Sequence, residues 1–191
     1  MDRFQSPRFP NEVSFLNGRP LPSVGLQTAN GGTIDLSTLS GVTVVFVQPG
    51  SSAAITPKDG WVDTIKKIPG AAGCTGQCKA FQSSADAFAQ LGVKVVGLSG
   101  QTPDELKAVK ERLGIEYDLV SDAHGSWLSG LGLRRVPYAD PTGDGIKAYH
   151  PRMILIIKDG KIVSAIVPEL TPEGATASAE KALQSVRELG R

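Results

Sequence analysis

The sequence predicts an α/β fold, a three-layer sandwich around a central mixed β-sheet. Three observations point there. Val42–Gln48 (VTVVFVQ) and Lys94–Ser99 (KVVGLS) are apolar on both faces, as central strands covered on both sides must be. Amphipathic helical stretches separate such strands, and strand–helix–strand alternation yields parallel strands through right-handed crossovers. A hairpin signal, Lys158-Asp159-Gly160-Lys161 between two apolar runs, then adds antiparallel strands.

The elements follow in order. Residues 1–25 are rich in Pro, Asn, Ser and Gly and read as an extended segment on the surface or a short hairpin. Asn30-Gly31-Gly32 is a turn leading into the alternating strand Thr33–Leu36, and 37–41 is one helical turn closed by glycine. Residues 49–69 are irregular, with a short helix suggested by Trp61, Ile65 and Ile68. Phe81, Ala85 and Phe88 recur at i, i+4 and i+7, predicting one helix over 75–91 stopped by Gly92. Thr102-Pro103-Asp104-Glu105 starts the next helix, which ends at Gly114. A strand at Tyr117–Val120, a helix at Ser126–Leu131 and a Pro/Gly-rich loop over 132–149 come next. The hairpin Met153–Ile157/Ile162–Val167 precedes one final helix over the last 20 residues, with Ala182, Leu183, Val186 and Leu189 on one face.

At 191 residues the chain predicts a single domain, 1–191, able to bury roughly 70% of its unfolded surface. With 20 Lys+Arg against 19 Asp+Glu, it offers no electrostatic footing for nucleic acid or an anionic membrane. No apolar run approaches a membrane span, and the first residues lack a signal peptide's apolar stretch, so a cytoplasmic, reducing setting is expected. Phosphate loops, dinucleotide fingerprints, nucleophile elbows and zinc-protease motifs are missing.

The two cysteines, Cys74 and Cys78, carry the chemistry. Cys74 lies at a glycine-laced helix start, where free backbone amides and the helix dipole favour a thiolate. One turn apart on a helix, the two Cβ atoms stand ~5–6 Å from each other. A disulfide wants ~3.5–4.5 Å. Bridging them requires the first turn to unwind, for which Gly73 and Gly76 are suited. The plainer reading makes them two small hydrophobes on the buried stripe 74, 78, 81, 85 and 88.

The segment PGAAGCTGQCKAF, set between VVFVQPG and GVKVVGLSG, resembles the active-site region of peroxiredoxins, nearest the Q-type or bacterioferritin comigratory branch. The likeness continues through residues 22–41, through QTPDELKAVKERLGIEYDLVSDAHG, and through the Arg-led hairpin from Arg152 to Ile162. It implies a thioredoxin-like fold and a thiol-dependent peroxidase acting on hydrogen peroxide or organic hydroperoxides. Cys74 becomes the peroxidatic cysteine, passing through a sulfenic acid, and Cys78 the resolving cysteine that forms an intramolecular disulfide. Arg152 becomes the cation that keeps the sulfur ionised and orients the peroxide. The implied partners are the hydroperoxide and thioredoxin or a similar dithiol, with a homodimer allowed and no cofactor or metal required. The family pattern P-x-x-x-T-x-x-C is altered here. Counted from Cys74 it meets Ala71 and Lys67; counted from Cys78 it meets Thr75 and Ala71. Cys78 with Thr75 therefore stands as a rival assignment.

Two other readings use the same residues. C-x3-C with His150 before the hairpin resembles copper(I) chaperones of thioredoxin-like fold, and soft thiolates with an imidazole suit that ion. A redox-silent binding domain is the third. His150 and His124 read first as loop or turn histidines, Arg134-Arg135 as a surface pair, and Trp61 and Trp127 as packing residues.

Overall fold

The computed structural model describes residues 13–54, 61–139 and 145–190. The expectations for residues 1–12 and for parts of the 49–69 and 132–149 stretches, together with the packing role of Trp61, lie outside the described residues and side chains.

The mixed sheet forms as predicted. In chain order its strands are β1 (Gly25–Thr28), β2 (Thr33–Asp35), β3 (Val42–Val47), β4 (Lys94–Ser99) and β5 (Asp118–Ser121). A two-stranded ribbon follows, β6 (Val136–Ala139) and β7 (Ile146–Tyr149), then β8 (Met153–Lys158) and β9 (Lys161–Ile166) return to the main sheet. The seven-stranded order is β2-β1-β5-β4-β3-β8-β9. β3, β4 and β5 run parallel, while β8 lies antiparallel to β3 with Val47 opposite Met153. Asp159 (φ 48°) and Gly160 (φ 72°) supply the left-handed pair that the β8–β9 turn needs.

The helices are α1 (Trp61–Lys66), α2 (Cys74–Ser83), α3 (Ala85–Gln90), α4 (Pro103–Leu113), α5 (Ser126–Gly130), α6 (Pro172–Thr176) and α7 (Ser178–Leu189). The capping box of α4 is present, with Glu105 N–H donating to Thr102 Oγ1 and Thr102 N–H to Glu105 Oε2. β3 divides the core by alternation. Val44 and Phe46 join Phe81, Phe88, Leu106, Leu183 and Val186 on one face. Val45 and Val47 join Leu16, Leu36, Trp127, Met153 and Leu155 on the other, so Trp127 is the packing residue expected of it. The second layer is thin, formed by α5 and by turns of the N-terminal segment.

Four readings need correction. The helix over 75–91 is two helices, because Ser84 leaves helical geometry (φ −98°, ψ 3°) at a Ser-Ser pair, residues that compete for backbone hydrogen bonds. The final helix is likewise two, joined at Ala177, since Thr171 caps a separate short turn through Gly174 N–H. Gly25, read as the end of the segment 1–25, opens the strand Gly25–Thr28, which pairs with both β2 and β5; four residues leave little periodicity to read. The Pro/Gly-rich stretch 132–149 holds the β6–β7 ribbon, whose largely exposed strands lack an apolar alternation.

Gly97 on β4 is where the sheet meets this packing most tightly. A Cβ there would stand 2.6 Å from Phe46 Cζ and 2.7 Å from Leu119 Cδ2. Phe46 cannot retreat, because its ring stacks on Phe81 at 4.2 Å. Gly97→Ala is expected to destabilise the fold by about 1–3 kcal/mol through overpacking, read as a lower denaturation midpoint.

Candidate active site

All the candidate groups gather at the carboxyl ends of the three parallel strands, where open α/β sheets place their crevices. β3 leads to Gln48 and Ser51, β4 to Gln101 and β5 to Asp122. Because β8 runs the other way, its first residue is flanked by Arg152 at that same edge.

Cys74 is the first residue of α2. Gly73 before it takes a left-handed conformation (φ 97°) and has no side chain to cap the helix, leaving the first-turn amides without a side-chain acceptor. A Cβ on Gly73 would lie 2.9 Å from Ala175 Cβ and Pro172 Cα, so α6 packs directly on this turn.

Arg152 is 2% exposed. Its Nη2 donates to Cys74 Sγ (3.2 Å) and Ala72 O (2.8 Å), and its Nε donates to Gly70 O (3.2 Å). Its Nη1 donates to Gln77 Oε1. Gln77 Nε2 in turn donates to Ser178 Oγ (2.9 Å) at the start of α7. One guanidinium thus ties the loop 70–72, two helices and the Cys74 sulfur together. A buried cation needs a partner, and among these contacts only the sulfur can carry negative charge.

Cys78 sits differently. It is fully buried among Phe46, Phe81 and their neighbours, one turn deeper in α2. Gln48 Nε2 donates to its sulfur (3.3 Å), and Tyr117 Oη donates to its carbonyl (2.9 Å). Burial pushes the Cys78 thiol up to about 11, with the neighbouring Cys74 adding to the rise and Gln48 opposing it. Both cysteines are free thiols here. The Cys78 sulfur bonds with Gln48, whereas Thr75 Oγ1 lies 2.9 Å from Ser51 Oγ.

A cavity of about 220 Å³ opens beside Cys74, walled by residues that include Ile65, Ala71, Ala72, Gly73 and Thr75. A second, of about 170 Å³, shares Gly50, Ile65 and Ala71 with it.

His150 lies in the loop between β7 and β8, as read, but it is not solvated. It is fully buried, with Nε2 2.9 Å from Asp122 Oδ2 and its ring against Gly100, where a Cβ would stand 2.8 Å from Nδ1. Asp122 also accepts from Trp127 N–H (3.1 Å) and Leu128 N–H (3.0 Å), anchoring α5. Burial alone would raise the Asp122 carboxyl, but the bonds from His150 and these two amides hold it below the usual range. Nothing here supports the copper reading. His150 Nε2 is committed to Asp122, and among the described residues no three His, Cys, Asp or Glu side chains group as metal ligands. Arg135 Nη1 donates to Ala123 O (3.3 Å) and is a surface group, as read. Gln48, Ser51, Gln77, Gln101 and Asp122 were missed. No motif marks them, and their roles come from strand register and helix packing.

Residues 68–165 match the AhpC/TSA family. A chloroplastic peroxiredoxin Q of Populus jackii is 32% identical over 106 residues, which are 55% of this chain and 41% of that protein. A Mycobacterium tuberculosis protein named as a peroxiredoxin is 27% identical over 151 residues, 78% of this chain and 82% of that one. Among solved structures, a peroxidoxin from the same organism superposes with a TM-score of 0.65 at 25% identity, covering 90% of this chain and 96% of that one.

Two measurements check this geometry. With Cys78 raised to about 11, its alkylation in the native protein at pH 8 is expected to be at least about 100-fold slower than in the unfolded chain, read by mass mapping. The depressed Asp122 carboxyl stabilises the fold fully above about pH 4, and that contribution is lost as pH falls through its lower folded value. Asp122→Asn should therefore lower the melting temperature at pH 7 and flatten its decline below pH 4.

Proposed function

The chain belongs to the AhpC/TSA family, and within it we propose that Cys74 is the peroxidatic cysteine of a thiol-dependent peroxidase, with Arg152 as its electrostatic partner and Cys78 as the resolving thiol. The observation that carries the assignment is the buried guanidinium whose Nη2 lies 3.2 Å from Cys74 Sγ while its other acceptors are neutral.

The Cys74 thiolate attacks one oxygen of the hydroperoxide. An S–O bond forms, the O–O bond breaks, and the sulfur is oxidised by two electrons to a sulfenic acid. The other oxygen leaves as alkoxide or hydroxide and takes a proton from water. Arg152 stabilises negative charge at the sulfur and on the departing oxygen without giving up its own proton. The rival assignment, attack by Cys78, is disfavoured by the burial that keeps that thiol protonated. Ala71, in the position where the family's Thr would precede Cys74, offers no hydroxyl.

Cys78 then condenses with the sulfenic acid, forming a disulfide and releasing water. With the thiols one helical turn apart, the first turn of α2 must unwind and slip from α6. A thioredoxin-type dithiol returns the disulfide to two thiols. The near-neutral charge suits a small neutral substrate and gives no hold on nucleic acid or membrane. A cytoplasmic, reducing setting completes this reading.

Treatment with one equivalent of hydrogen peroxide and dimedone tests it. Cys78→Ser should accumulate a trapped sulfenate on Cys74, whereas Cys74→Ser should yield none; adduct on Cys78 would reverse the assignment. Arg152→Gln should slow Cys74 oxidation by about 100-fold or more, as removal of a transition-state donor does.

A further inference from the structure

We propose that Ser51 is a positioning residue that turns the Thr75 hydroxyl proton into the cavity beside Cys74, so that Thr75 donates to the peroxide as its O–O bond breaks. The inference rests on the peroxidase reading of Cys74.

Ser51 is 1% exposed. Its Oγ accepts from Ala53 N–H (3.2 Å) and lies 2.9 Å from Thr75 Oγ1, where either hydroxyl could donate. Burial chooses between them. If Thr75 donated, the Ser51 proton would have no protein acceptor among the described residues and could turn only to what fills the second cavity, which Ser51 lines. If Ser51 donates, every group is satisfied, and the Thr75 proton is left for whatever fills the cavity. Thr75 is only half-buried and lines that cavity together with Cys74.

The Ser51 backbone is clamped in place. Its N–H donates to Gln101 Oε1 (2.8 Å), and its carbonyl accepts from Gln101 Nε2 (3.1 Å). Gln101 is itself fixed by Ser99 Oγ, which accepts from its N–H (3.2 Å), and by Ser121 Oγ, which donates to its carbonyl (2.6 Å). The carboxyl ends of β4 and β5 therefore set the direction of one hydroxyl proton.

Such a donor adds to what Arg152 supplies at this site. Four N–H contacts of Arg152 go to Gly70, Ala72, Gln77 and Cys74. The other side-chain donors on the cavity wall, Ser52 and Lys66, belong to other elements, whereas Thr75 directly follows the reacting cysteine. As the thiolate attacks, the new S–O bond places the incipient alkoxide or hydroxide in this cavity. The Thr75 O–H stabilises its charge by hydrogen bonding until water protonates it.

The rate constant for Cys74 oxidation by hydrogen peroxide, measured by loss of its thiol in rapid-quench experiments, tests this in four single variants and one double variant. Thr75→Val should slow the step about 10- to 100-fold. Ser51→Ala should slow it about 3- to 10-fold, the worth of one hydrogen bond. Ser51→Thr and Thr75→Ser, which keep the hydroxyls, should each stay within about twofold of wild type. In the Thr75→Val background Ser51→Ala should have no further effect, a coupling that a merely structural serine would not show. An unchanged rate in Ser51→Ala, or equal losses in both backgrounds, overturns the proposal. Should Ser51→Ala not fold, a Thr75→Ser rate as low as that of Thr75→Val overturns it equally. Failure of wild-type Cys74 to oxidise at all would instead sink the peroxidase reading beneath it.

Discussion

The buried guanidinium of Arg152 is the constraint on which the rest of the site depends. Taking a cation out of water costs several kcal/mol unless its donors are met and its charge is balanced. Here the backbone carbonyls of Gly70 and Ala72 and the Gln77 amide meet the donors, while the Cys74 sulfur is the contact able to balance the charge. The arrangement works in both directions. Arg152 shapes the loop by gathering its carbonyls, and the loop delivers the sulfur to Arg152. Glycine at 70 and 73, both with positive φ, lets the backbone turn its carbonyls inward without steric strain.

Two supports stand behind that cation. On one side, Gln77 relays it to Ser178, so the register of α2 against α7 is tied to the position of the charge. On the other, Pro151 alone separates Arg152 from His150, which Asp122 and the notch at Gly100 hold in place. Asp122 also holds the start of α5, so the same carboxylate that seats the histidine completes the thin second layer of the sandwich. Folding and site assembly are therefore one event at the carboxyl edge of the sheet.

The contrast between the two cysteines follows from depth. Cys74 sits at the mouth of α2, beside a cation and a cavity. Cys78 lies one turn further in, among aromatic rings, where a thiolate is costly. On the proposed reading the two serve different steps, and α6 packs over Gly73 and Gly76 on the turn that would have to open between them.

Much of this was legible in the sequence. Buried strands, the α4 capping box and the Asp-Gly hairpin follow from local periodicity and turn chemistry, which act within a few residues. The cysteine pair at a glycine-laced helix start, and Arg152 at the head of the hairpin, were legible from position and from resemblance. The sequence could not choose between Cys74 and Cys78, because both share one stripe and neither fits the family's spacing. The proposed choice rests on the pairing of β8 beside β3, which sets Arg152 next to one sulfur and leaves the other in the core. Likewise Ser51 and Gln101 look unremarkable in a linear reading, and His150 reads there as a loop histidine or a metal ligand. Their partners lie 24, 50 and 28 residues away, and only the folded chain brings a buried hydroxyl or imidazole to the acceptor it must have. Local chemistry named the candidate groups; long-range packing decided the depth and the partners of each, because those partners are distant in sequence.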